Sequence, residues 1–64
     1  MKKITLKAAR VNAGLSQQEA AEALDVSNKT LCRWEKGLSY PNAMQIEKIC
    51  NLYKVDYDDI IFTQ

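Results

Sequence analysis

Sixty-four residues with a formal net charge of +1, 47% hydrophobic and 27% charged, make one globular domain near the lower size limit for folding without staples. There is no histidine, and Cys32 and Cys50 are the only cysteines, so zinc spacings, a disulfide framework and Ser-His or Cys-His catalysis are all excluded, and no metal, cofactor or small-molecule substrate is expected. The missing histidine and the lack of a Gly-rich phosphate loop predict that the protein is not an enzyme. The apolar runs are too short to span a bilayer and the Met-Lys-Lys start lacks a signal peptide's apolar stretch, which predicts a cytoplasmic protein.

Taken in chain order, the helices announce themselves by their ends as well as by apolar spacing. Thr5 is the N-cap of a first helix from Leu6 to Ala13, with Leu6, Ala9 and Ala13 on one face and Gly14 as the left-handed stop. Ser16 and Glu19 form a capping box that opens a second helix from Gln17 to Leu24, whose buried stripe is Ala20, Ala21 and Leu24. Asp25-Val26-Ser27 breaks the pattern. Asp25 tolerates a left-handed backbone there, and Ser27 caps a third helix from Asn28 to Lys36 that turns Leu31 and Trp34 inward and stops at Gly37.

The connector Leu38-Ser39-Tyr40-Pro41 is extended because Tyr40 precedes proline. Asn42 and Gln45 then make a second capping signature, opening a fourth helix to about Tyr53 with Ile46, Ile49, Cys50 and Tyr53 at core spacing. Asp56 and Asp59 frame a short fifth helix carrying Tyr57, Ile60 and Ile61. A helix, a four-residue turn and a second helix with its own cap suit an angled pair of helices, and Ala21 is small where the two must approach. With Leu31 and Trp34 facing the core, Asn28, Lys29, Cys32 and Arg33 point away from it.

The run Leu15 to Gly37, LSQQEAAEALDVSNKTLCRWEKG, closely resembles the Cro-type phage repressor family, also called the xenobiotic-response-element family. Leu6 and Arg10 match its first helix, Pro41 and Ile46 its fourth, and Val55-Asp56 with Ile60 its fifth. The resemblance covers about residues 5–61 of a single domain taken as 1–64. It implies an all-α, compact five-helix helix-turn-helix fold, lambda-repressor-like, with the third helix in the major groove of double-stranded DNA. Carried over residue by residue, Asn28, Lys29 and Arg33 would contact bases, and lysine or arginine there suits guanine O6 and N7. Gln17 would grip a phosphate; Thr30, Lys36, Asn42 and Arg10 would also contact the DNA backbone. Arg10 and Glu35 match a family ion pair that orients the third helix.

Each of these features also has a plainer explanation. Asn28, Lys29 and Arg33 could be a solvated helix face, and Arg10 and Glu35 two solvated charges. Trp34 is read as core and not as a stacking platform, and Cys50 as a small buried hydrophobe. Cys32, beside Arg33, has the accessible and cationic setting of a redox-sensitive thiol. Asp25 and Lys54 stand where the family has turn glycines, so both should adopt a left-handed backbone, and Ala20 replaces a leucine, leaving volume for Trp34 or Tyr53 to fill.

Charge distribution favours nucleic acid more than the net charge does. Residues 1–36 hold seven Lys/Arg against four acids, and residues 37–64 hold two against four. The expected function is a sequence-specific transcriptional regulator, a repressor of phage or bacterial type acting on a pseudo-palindromic operator. Tyr57, Ile61 and Phe62 would either supply the two-fold interface of a homodimer or close the monomer's core. The alternative is a protein-interaction module, antitoxin-like or an adaptor, for which the near-neutral charge argues.

Overall fold

In the computed structural model, which describes residues 3–62, each α-helix starts on a side chain that accepts a hydrogen bond from the backbone three positions on. Thr5 Oγ1 accepts from Ala8 N at 3.1 Å and opens α1 (Leu6–Asn12). Ser16 Oγ accepts from Glu19 N at 3.0 Å while Glu19 Oε1 accepts from Ser16 N at 2.9 Å, a complete capping box for α2 (Gln17–Leu24). Ser27 Oγ accepts from Thr30 N at 3.0 Å to start α3 (Asn28–Glu35). Asn42 and Gln45 repeat the reciprocal box for α4 (Ala43–Tyr53). These bonds satisfy amides that no preceding helical carbonyl can reach.

The stops are equally local. Gly14 and Gly37 take φ of +78° and +76° after α1 and α3, while Asp25 and Lys54 take φ of 61° and 58° after α2 and α4. The two non-glycine positions are therefore left-handed, as their placement in the turns predicts. Asn12 ends α1, so Ala13 is its exposed cap and not a member of the buried face. Lys36 caps α3 from just outside it.

One part of the expected architecture is overturned. The described residues hold four α-helices, and the expected fifth is a single 3-10 turn, Tyr57–Asp59, followed by a strand β2 (Ile60–Ile61). This strand pairs in parallel with β1 (Ile4–Thr5), Ile4 opposite Ile60 and Thr5 opposite Ile61, so the fold is not strictly all-α. Three physical causes act together. Asp56 makes no side-chain cap bond to the turn; the span after Lys54 is too short to repay helix nucleation; and two consecutive β-branched isoleucines favour extended backbone. Ile60 is buried and Ile61 exposed, an alternation of period two that the short segment disguised as helical spacing.

The core comprises Leu6 and Ala9 of α1, Ala20, Ala21 and Leu24 of α2, Leu31 and Trp34 of α3, Ile49 and Tyr53 of α4, and Ile60. The α2 and α3 helices pack together most extensively, and Ala20 and Ala21 let them approach at almost full burial. Trp34 and Tyr53, both 4% exposed, are the bulky members of the buried cluster that also contains Ala20. The α4 face differs from expectation, since Ile46 and Cys50 are only half-buried at the margin of the core.

Candidate nucleic-acid interface

The orientation of α3 is set from its buried side. Leu31 and Trp34 anchor it in the core, and Glu35, 8% exposed, is drawn inward by partners from two other helices. Glu35 Oε2 accepts from Arg10 Nε at 2.7 Å, and Oε1 accepts from Gln17 Nε2 at 3.1 Å and from Arg10 Nη2 at 3.5 Å. Arg10 Nη1 donates to the Leu15 carbonyl at 2.9 Å, so one guanidinium ties α1 both to the turn before α2 and to the end of α3. Charge-assisted bonds of this kind, shielded from water, fix geometry more strongly than exposed pairs do.

With that side anchored, the opposite side of α3 presents Asn28, Lys29 and Arg33 to solvent, all three exposed. Asn28 and Lys29 lie in the first turn and Arg33 a turn later. Cys32 is half-buried and lines a cleft of about 500 Å³ together with Thr5, Lys7, Arg10, Gln17, Glu35 and Lys36. The cleft therefore gathers Arg10, Gln17 and Lys36 with a further cation, Lys7, at the meeting of α1, α2 and α3. Its cations outnumber its one carboxylate, which is already engaged by Arg10.

Thr30 and Asn42 lie outside that cleft. Thr30 is half-buried and its Oγ1 accepts from Ser27 Oγ at 2.9 Å, while Asn42 is exposed with its carbonyl oxygen committed to capping α4. The Gln17–Glu35 bond has no signal in the sequence, because the two residues sit 18 positions apart and meet only once α2 and α3 are folded together. Tyr53 belongs to the same buried neighbourhood. Burial, and then the charge of Glu35, push its phenol up to about 12, with Arg10 opposing. Its hydroxyl is buried without a hydrogen-bond partner.

Among the described residues no group of three His, Cys, Asp or Glu side chains could hold a metal ion, and none of their helices is long and apolar enough to cross a membrane. The α3 face and the adjoining cleft thus combine amide and cationic donors on a rigidly anchored helix, an arrangement suited to phosphate and base-edge acceptors.

Comparison with known proteins agrees. A helix-turn-helix family model matches residues 6–60. The chain is 39% identical over 56 residues to the HTH-type transcriptional regulator ImmR of Bacillus subtilis (strain 168), covering 88% of this chain and 44% of that protein. It is 32% identical over 56 residues to the HTH-type transcriptional activator BcrR of Enterococcus faecalis, covering 88% of this chain and 28% of that protein. The chain thus spans less than half the length of either relative. No solved structure gives a significant match. The capped helix pair, the buried Arg10–Glu35 link and a family match spanning nearly the whole fold lead to one assignment: this chain belongs to the Cro-type helix-turn-helix family.

Proposed function

We propose that the chain is the DNA-reading domain of a sequence-specific transcriptional regulator. The observation that carries this reading is the two-sided character of α3, with Leu31, Trp34 and Glu35 buried and Asn28, Lys29 and Arg33 exposed on the same eight-residue helix. In the major groove Lys29 and Arg33 would donate to guanine O6 and N7, and Asn28 would pair with an adenine edge. Gln17 and Lys36 would hold phosphates from the cleft, with Thr30 and Asn42 flanking them. Arg10, buried and committed to Glu35 and the Leu15 carbonyl, would serve them by fixing α3 and not by touching a phosphate itself. Gln17 donates one amide hydrogen to Glu35. The second remains for a phosphate oxygen, so its grip comes from a side chain already ordered before DNA arrives.

A domain of this size makes few base contacts, so a homodimer on a pseudo-palindromic operator is the economical arrangement. Tyr57 and Ile61 are exposed and so available for a two-fold contact, whereas Phe62 packs against the monomer's core with its ring 6.0 Å from that of Tyr57 at 33°. The regulator would repress by occupying promoter DNA. Selection of binding sites from a random duplex pool tests the reading directly. A motif should be enriched, affinity should fall steeply with salt, Lys29→Ala and Arg33→Ala should relax preference at particular base pairs, and Gln17→Ala should weaken all sequences alike. Failure to enrich any motif would refute it.

A further inference from the structure

A second surface shares no residue with the α3 face or its cleft. Ile46 and Cys50 of α4, which have core spacing but stay half-buried, form with half-buried Val55 the apolar floor of a groove between α4 and the segment leading into the 3-10 turn. Two adjoining depressions of about 430 and 460 Å³ run along it and share Cys50, Asn51, Val55 and Asp56. Carboxylates of Glu47, Asp56 and Asp59 rim the groove against one ammonium, Lys54. An apolar floor inside an acidic rim is the complement of an amphipathic segment whose apolar stripe is flanked by lysine or arginine.

We infer that this groove docks a basic amphipathic helix of a partner protein. Charge selects that occupant over a second copy of this chain, because an isologous contact places a patch against itself and would bring the acidic rims together. The groove shares no residue with the α3 face, so DNA on that face does not cover it. Tyr57, at one end, is shared with the proposed two-fold contact, and the stretch along Ile46, Glu47 and Cys50 is the part left for a protein while DNA is bound. This inference does not depend on the DNA reading.

The test uses the whole isotope-labelled chain, titrated by heteronuclear NMR with a leucine-lysine amphipathic peptide of about 18 residues, five helical turns. Two controls accompany it, a scrambled peptide of the same composition without the apolar stripe and a leucine-glutamate counterpart. Saturable shifts at Ile46, Cys50, Val55 and Asp56 are expected with the first peptide, and binding about tenfold weaker or less with the controls. Glu47→Lys, an exposed substitution, should weaken binding by about tenfold with an unchanged melting temperature, and Glu47→Gln should fall between. Equal binding of either control, or shifts centred on α3, would overturn the proposal. So would concentration-dependent shifts of the Ile46 and Cys50 amides in the free chain, at the end of the groove away from Tyr57 and the proposed two-fold contact, which would make the occupant a second copy.

Discussion

Replacing Arg10 by methionine keeps much of the side chain's apolar length while deleting every bond of the guanidinium, and it leaves the Glu35 carboxylate buried without its cation. The side chains of the pair are 10% and 5% exposed, so water offers little compensation. Leaving one member of such a pair uncompensated costs about 3–5 kcal/mol. The Leu15 carbonyl also loses its donor, adding about 1 kcal/mol. Domains of this size have a total stability of only about 5 kcal/mol, so Arg10→Met should be largely unfolded at room temperature. Glu35→Gln preserves shape and an acceptor for Arg10, and should cost about 2 kcal/mol. The double replacement Arg10→Met with Glu35→Leu should recover much of the loss, since an apolar pair removes the buried charge altogether. Urea unfolding followed by the fluorescence of Trp34, the only tryptophan, measures all three. An Arg10→Met variant within about 1 kcal/mol of the parent would refute the reasoning, because the pair would then behave as a solvent-screened surface contact.

Tyr53→Phe removes a buried hydroxyl that has no partner, so it should be neutral or slightly stabilising by thermal melting. The parent's phenol is held up to about 12, against about 10 in the unfolded chain. Its contribution is therefore complete below about pH 10 and is lost as the pH climbs towards 12; the phenylalanine variant should melt with a flatter dependence over that window. Lys54→Gly should stabilise by about 0.5–1 kcal/mol by relieving a left-handed lysine, whereas Asp25→Gly should be close to neutral because aspartate tolerates that region better. Equal gains at both turns in chemical denaturation would contradict this. Ser16→Ala should cost about 1 kcal/mol by removing the α2 cap. The Ser16 backbone N–H, and then its hydroxyl, hold the Glu19 carboxyl below its ordinary value, so its contribution is present at neutral pH and is lost as pH falls through the folded value. NMR titration of the Ser16→Ala variant should find Glu19 moved only part of the way towards an ordinary carboxylate, because the backbone N–H of residue 16, the larger cause, is kept.

Much of this protein was legible before folding. The caps at Thr5, Ser16, Ser27 and Asn42, and the left-handed turn at Asp25, depend on groups within a few residues of one another, so local sequence suffices to place them. The left-handed turn at Lys54, by contrast, follows only from the family resemblance, which has a glycine there. The inward turn of Leu31 and Trp34 follows from helical spacing alone. The last segment could not be read this way. Tyr57 to Ile61 satisfies either periodicity over so few residues, and what makes Ile60 and Ile61 a strand is β1, 56 positions earlier in the chain. Tertiary structure also decided that Ile46 and Cys50, which have core spacing, form the floor of an open groove, and that Gln17 is bonded to Glu35. Caps answer to neighbours along the chain; these features answer to neighbours that only the folded path of the backbone brings within reach.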